Sequence, residues 1–195
     1  MKNLSDGQLV SLATKNNQEA LETLISRYLK PIYNFVRRYI NNQSDAEDVT
    51  QEIFLKSWKH LKRFRLDKSF KVWLFAIAKN AAFDFLRKKR IITFTELAEE
   101  DKKGEILEEP VADAALLPSQ LLEQKELAQK INQALLKLPV KQRAVIWLHY
   151  QEDMTFQEIA EVLHEPLNTT KSRYHRGLLT LRRFFVAPKP PFSAY

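Results

Sequence analysis

Apolar residues return every three or four positions along most of this chain, the spacing of one buried helical face. Ser44 to Arg90 shows it best. Ser44 with Glu47 reads as a capping box, which predicts a helix from Asp45. Ala46, Val49, Ile53, Phe54, Ser57, Trp58 and Leu61 make its buried stripe. Asp45, Asp48 and Glu52 fall together on another face, with Gln51 at the edge. A second helix carries Phe70, Trp73, Leu74, Ile77, Ala78, Ala81 and Phe85 on its core side and ends in Arg87-Lys88-Lys89-Arg90. Asn80, Asp84 and Arg87 form its polar stripe.

Upstream, Ser5 with Gln8 is another capping signature, and a helix through Leu9, Leu12 and Ala13 follows. A helix starting near Asn17 meets Pro31, which should kink or restart it, and runs to about Ile40, where Asn41 and Asn42 end it. These helices are packing partners for the 45–90 pair. The pattern fails over 91–118, which holds Gly104, Pro110 and Pro118 and reads as a linker. Helix returns at Ser119, with Leu121, Leu122, Leu127, Ala128, Ile131, Leu135 and Leu138 as apolar positions. Pro139 opens the next helix, whose apolar positions are Ala144, Val145, Trp147, Leu148 and Tyr150. Thr155 and Glu158 cap a short helix, His164-Glu165-Pro166-Leu167 breaks it, and Asn168 or Thr169 caps a last helix to about Phe185. The tail, 188–195, is proline-rich. The fold class is all-α: two small helical domains, 1–90 and 119–187, joined by an acidic linker over 91–118.

Composition narrows the class. Three glycines and no period-two β-branched runs disfavour sheets. Without cysteine there is no disulfide framework and no thiolate metal site. No apolar leader opens the chain, and the longest apolar run, Val72 to Ala78, is too short to span a bilayer. A cytoplasmic location is expected. Net charge is +7, but its distribution says more: +9 over 1–90, −6 over 91–120 and +4 over 121–195. Two basic blocks flank an acidic one, so a polyanionic partner is expected. The acidic stretch is either a solubilising spacer or an occupant of a nucleic-acid channel.

Residues 155–185 have helix-turn-helix form, with Thr169, Thr170, Lys171, Ser172, Arg173, His175 and Arg176 in the first turns of the second helix, suited to base edges and phosphates. Leu167, Tyr174, Leu178, Leu179 and Leu181 would hold that helix in place. The Leu61–Phe70 loop interleaves cations with aromatics, the chemistry of single-strand binding, although Phe64, Phe70 and Trp73 also fit a core. Enzyme readings are poorly supported. Asp45, Asp48 and Glu52 lack a second acidic cluster to complete a cation site, and Glu161-x-x-His164 occurs once. His60, His149 and His175 are scattered, no glycine loop cradles phosphate, and no cofactor or small-molecule substrate is expected.

Two long motifs in order, DAEDVTQEIF (45–54) with SFKVWLFAIAKNAAFDFLRKKR (69–90), then LPVKQRAVIWLHY, MTFQEIAEVL and TTKSRYHRGLLTLRR, resemble the extracytoplasmic-function (ECF) sigma factors of the sigma-70 family. The resemblance covers roughly 15–90 and 120–185. It implies a promoter-specificity factor that does no bond chemistry itself. Asp45, Asp48, Gln51 and Glu52 would face the clamp helices of the largest subunit of core RNA polymerase, and the second block the flap of the second-largest subunit. Lys62, Arg63, Phe64, Arg65, Lys68 and Phe70 would take a flipped base of the minus-ten promoter DNA, with Asn80, Arg87 and Lys88 tracking it. Thr169, Lys171, Ser172, Arg173, His175 and Arg176 would read the minus-thirty-five element. The linker would thread toward the RNA exit path, and an anti-sigma factor is a further implied partner. The chain departs from the family pattern at His164 and Asn168, where glycine is usual, and at Thr170, where valine is common. A stand-alone helix-turn-helix regulator would leave 45–90 unexplained. A protein–protein adaptor would show no salt-dependent DNA affinity.

Overall fold

A computed structural model describes residues 1–95 and 118–185, and all structural statements concern those residues. They form eight α-helices and no strand: α1 Asp6–Ala13, α2 Gln18–Arg37, α3 Gln43–His60, α4 Phe70–Thr95, α5 Pro118–Leu136, α6 Val140–Tyr150, α7 Phe156–Leu163 and α8 Leu167–Phe185. A 3₁₀ turn, Leu61–Arg63, follows α3.

Local chemistry sets most boundaries. Ser5 and Gln8 exchange backbone-to-side-chain bonds of 2.9 and 3.3 Å, the reciprocal box expected for α1. Asp6, in the first turn, accepts from Arg27 and Tyr28 and so ties α1 to α2. Asn17 caps α2 through Ala20 N–H at 2.9 Å. That helix continues through Pro31 and stops at Arg37, three residues before the expected end. Arg37 is the reason: its buried guanidinium donates to the carbonyls of Ile40 (2.9 Å) and Asn41, closing a turn.

The α3 start differs too. Asn42, not Ser44, is the cap, because its Oδ1 accepts Asp45 N–H at 2.9 Å. Glu47 instead accepts from the Gln43 side chain at 2.9 Å. Similarly, α8 starts at Leu167, so Asn168 and Thr169 lie inside it rather than capping it, and Pro166 supplies the carbonyl for Thr170 N–H at 3.1 Å. α4 runs to Thr95, past the basic cluster that was expected to end it. Pro118 already belongs to α5. The rest of the acidic linker (96–117) and the tail lie outside the described residues.

Phe35, Ile32, Leu9, Ile53, Leu74 and Phe75 form the centre of the N-terminal core. Phe35 meets Tyr39 and Phe75 edge-on at 5.2 and 5.5 Å. In the C-terminal helices, Val145, Leu148, Ile159 and Val162 play that part. Gly177 lets α8 close on α6: a Cβ there would stand 2.7 Å from Ile146 Cδ1. Of the apolar positions expected from Ser119 onward, Leu127, Ala128 and Ile131 are exposed, Leu135 is half-buried and Leu138, just past α5, is buried, while the side chains of Leu121 and Leu122 lie outside the described residues. Trp58, Tyr150 and Leu179, all expected to be buried, are exposed as well.

The two sets of helices share one continuous core. α4 is buried over much of its circumference. Phe70 and Phe75 pack on Tyr28 and Phe35 of α2, and Val72, Leu74, Ala78, Lys79, Ala81 and Ala82 are buried along with them. α7 packs on α4.

Candidate functional site

Three surfaces carry the chemistry. The first is α3. Asp48, Gln51 and Glu52 are exposed and Asp45 partly so, one turn apart on one face as their spacing requires. Glu52 pairs with Lys56 on the next turn. An apolar groove of about 450 Å³ borders this face between α2 and α3. Leu29, Leu55 and Trp58 line it while remaining 48%, 61% and 42% exposed. Sequence reasoning missed this groove, having assigned Trp58 to the core. Leu55, off the buried stripe on α3, was the available signal.

The second surface is the loop before α4 and the exposed side of α4. Lys62, Arg63, Arg65 and Lys68 are all exposed. Arg65 grips Asp67 through Nε (3.1 Å) and a terminal nitrogen (2.9 Å), and this hydrogen bonding holds the Asp67 carboxyl below its ordinary range. Phe70 does not belong to this surface. It is 6% exposed, with its ring edge-on to Tyr28 at 5.5 Å and against Phe64 and Trp73 at 5.7 and 5.5 Å. No base can stack on it without dismantling that cluster. Phe64 is half-buried at the cluster's rim, and the four cations are exposed beside it together with Leu66, Asp67 and Ser69. Further along, Asn80, Arg87 and Lys88 are exposed on α4, and Arg87 pairs with Asp84 at 3.2 Å.

The third surface is the helix-turn-helix. Thr155 and Glu158 form the expected reciprocal cap on α7. His164 ends α7 with φ 52° and ψ 51°, a left-handed residue where glycine is usual. Lys171, Ser172, His175 and Arg176 are exposed along α8 and Thr169 partly so. Thr170 is fully buried and donates to Glu165 at 3.2 Å, so it holds the turn rather than facing outward. Glu165, which sequence reasoning did not single out, also accepts from Arg173 Nε at 2.9 Å. One nearly buried carboxylate thus joins the break between helices to two positions of the second helix. Behind α8, Tyr174 packs against Phe156, His149 and Tyr150. The Tyr150 hydroxyl bonds that of Tyr174 at 2.8 Å, and with some burial this pushes the Tyr174 phenol up to about 12.

Among the described residues, no three His, Cys, Asp or Glu side chains converge on a metal-sized site, and no helix is long and apolar enough to cross a membrane. The arrangement is one of binding faces: an acidic one beside an apolar groove, and two basic ones on separate helices.

Residues 24–91 match Sigma-70 region 2, and residues 128–181 match Sigma-70, region 4. The chain is 32% identical over 169 residues to the ECF RNA polymerase sigma factor SigW of Bacillus subtilis, covering 87% of this chain and 90% of that protein. It is 31% identical over 179 residues to the ECF RNA polymerase sigma-E factor of Escherichia coli, covering 89% and 91%. Its fold is similar to that of the sigma factor RpoE from Bartonella quintana, solved with the anti-sigma factor NepR, with a TM-score of 0.68, 21% identity and coverage of 86% and 98%. The chain belongs to the ECF group of the sigma-70 family, the RNA polymerase sigma factors built from regions 2 and 4.

Proposed function

We propose that this sigma factor recruits core RNA polymerase through α3 and reads two promoter elements with its two basic surfaces. The observation that carries this is the presence, on one chain, of an acidic protein-facing surface and two separate cationic helices. Residues 1–90 act as region 2. Asp45, Asp48, Gln51 and Glu52 meet the clamp helices, with the neighbouring apolar groove as added contact area. Lys62, Arg63, Arg65 and Lys68 hold the backbone of the minus-ten strand, Phe64 supplies the stacking ring, and Asn80, Arg87 and Lys88 continue the track. Residues 119–187 act as region 4: Lys171, Ser172, His175 and Arg176 enter the major groove at the minus-thirty-five element, flanked by Thr169 and Arg173. The flap of the second-largest subunit and an anti-sigma factor complete the expected partners. The factor makes and breaks no bonds; the polymerase does.

Run-off transcription with bacterial core RNA polymerase, using DNA from upstream of this protein's own gene, tests the reading. A defined transcript that requires the protein supports it. Absence of both transcript and core binding overturns it in favour of a stand-alone regulator.

A further inference from the structure

We infer that Lys79 is a positioning residue for the minus-ten element: it fixes the Asn80 carboxamide so that its hydrogen-bond donors, and not its oxygen, face the promoter strand. The inference deepens the minus-ten reading above and rests on it.

Lys79 and Asn80 are neighbours in the middle of α4 with opposite surroundings. Asn80 is exposed, on the face it shares with Asp84 and Arg87. Lys79 is only 8% exposed. Lysines of DNA-binding helices usually aim their charge at phosphate. This one turns it on its neighbour, with Nζ 2.7 Å from Asn80 Oδ1.

That contact settles which way the amide points. A lysine ammonium carries donors and no acceptor, so the atom facing it must be the amide oxygen. The NH2 group is left as the free end, and it carries two donors and no acceptor. An asparagine without such a partner can turn over and show either end. Burial lowers the Lys79 pKa, and an ammonium short of water keeps the acceptor it has. The bond lies within one helix, so it needs no other element and travels with α4 into a promoter complex.

The next turn repeats the device. Arg87 covers one oxygen of Asp84 at 3.2 Å, so a second acceptor on this face is engaged by a cation of the same helix. The face leans toward donors.

A donor-only group tells keto bases from amino bases. Guanine O6 and thymine O4 accept from it, whereas adenine N6 and cytosine N4 set donor against donor. An unsatisfied pair of that kind is costly enough for roughly tenfold discrimination at one position.

The test uses holoenzyme made with bacterial core RNA polymerase and the minus-ten element upstream of this protein's own gene. Each position of that element is changed to all four bases, and transcript yield is compared for wild type, Asn80→Ala, Lys79→Met and Asn80→Asp. The expected wild-type profile has one position that favours guanine or thymine about tenfold, and Asn80→Ala flattens that position. Lys79→Met should cut the preference there to about twofold and leave the other positions as they were. Asn80→Asp keeps an oxygen for Lys79 but turns an acceptor outward, so its preference should swing toward adenine or cytosine. Should Lys79→Met lose its helical circular dichroism spectrum, Asn80→Asp decides alone. A Lys79→Met profile identical to wild type, an equal loss at every position, or an Asn80→Asp profile that does not swing overturns the inference while the functional reading stands. So does an Asn80→Ala profile that flattens nothing. A wild-type protein that neither binds core polymerase nor drives a transcript overturns both.

Discussion

Replacing His164 by glycine should stabilise this protein, although the substitution removes a whole side chain. His164 occupies φ 52°, ψ 51° at the end of α7, with its N–H directed to the Ala160 and Glu161 carbonyls. Glu165 N–H then bonds Ala160 at 3.1 Å, so the chain turns here through main-chain bonds alone. A left-handed conformation costs an L-residue roughly 1–2 kcal/mol. Glycine avoids that cost but gives back about 0.5–1 kcal/mol through its freer unfolded chain. The imidazole is exposed, so little packing is lost. The balance is a gain of about 0.5–1 kcal/mol, or about 1–4 °C in Tm for a chain of this size. Circular dichroism melts of wild type, His164→Gly and His164→Val would measure it, with valine, β-branched at positive φ, as the unfavourable extreme. Asn16 and Asp153 also have positive φ, at 64° and 50°. Asn16→Gly should gain least, because asparagine tolerates this region best. A His164→Gly protein no more stable than wild type, or a valine variant equal to it, would refute the reasoning.

Reversing the α3 face with Asp48→Lys and Glu52→Lys should abolish core polymerase binding in a pull-down while leaving the circular dichroism spectrum native, since both residues are exposed. Retained binding by such a folded variant would remove this face from the interface. Arg173 has two possible duties, and Glu165→Gln separates them. If Arg173 only braces the turn, Arg173→Ala and Glu165→Gln should weaken promoter binding equally; if it also reads a base, Arg173→Ala should cost a further 1–3 kcal/mol or so in DNA titrations. Gly177→Ala should add about 1 kcal/mol of stability in an Ile146→Val background, where the obstructing Cδ1 is gone, and less than that in the wild type. Equal effects in the two backgrounds would show that the close approach at Gly177 does not matter.

What could be read from the chain was local. Capping boxes at Ser5 and Thr155 involve partners three residues apart, so spacing alone identifies them. The error at Ser44 is of the same kind: two acceptors compete two residues apart, and only geometry decides for Asn42. Phe70, at the start of α4, was ambiguous, because a cation–aromatic alternation looks the same whether its rings face a base or one another. The packing of α7 on α4 lay beyond local reasoning, as Lys71 and Glu152, which pair at 3.1 Å beside it, are 81 positions apart. One trace of it was available. Val72 to Ala78 is apolar around every side of the helix, the mark of a helix covered on more than one face. It served only to exclude a membrane span.

That wide burial of α4 has a consequence for synthesis. The side of α4 on which α7 packs leaves the ribosome with the N-terminal helices, whereas α7 ends about 80 residues later. At 5–20 residues per second, that side of α4 stands uncovered for roughly 4–16 s in every nascent chain. During that time its apolar flank is open to chaperones and to neighbouring nascent copies on the same message. Ribosomes stalled between residues 95 and 140 should therefore carry the chain in its stickiest form.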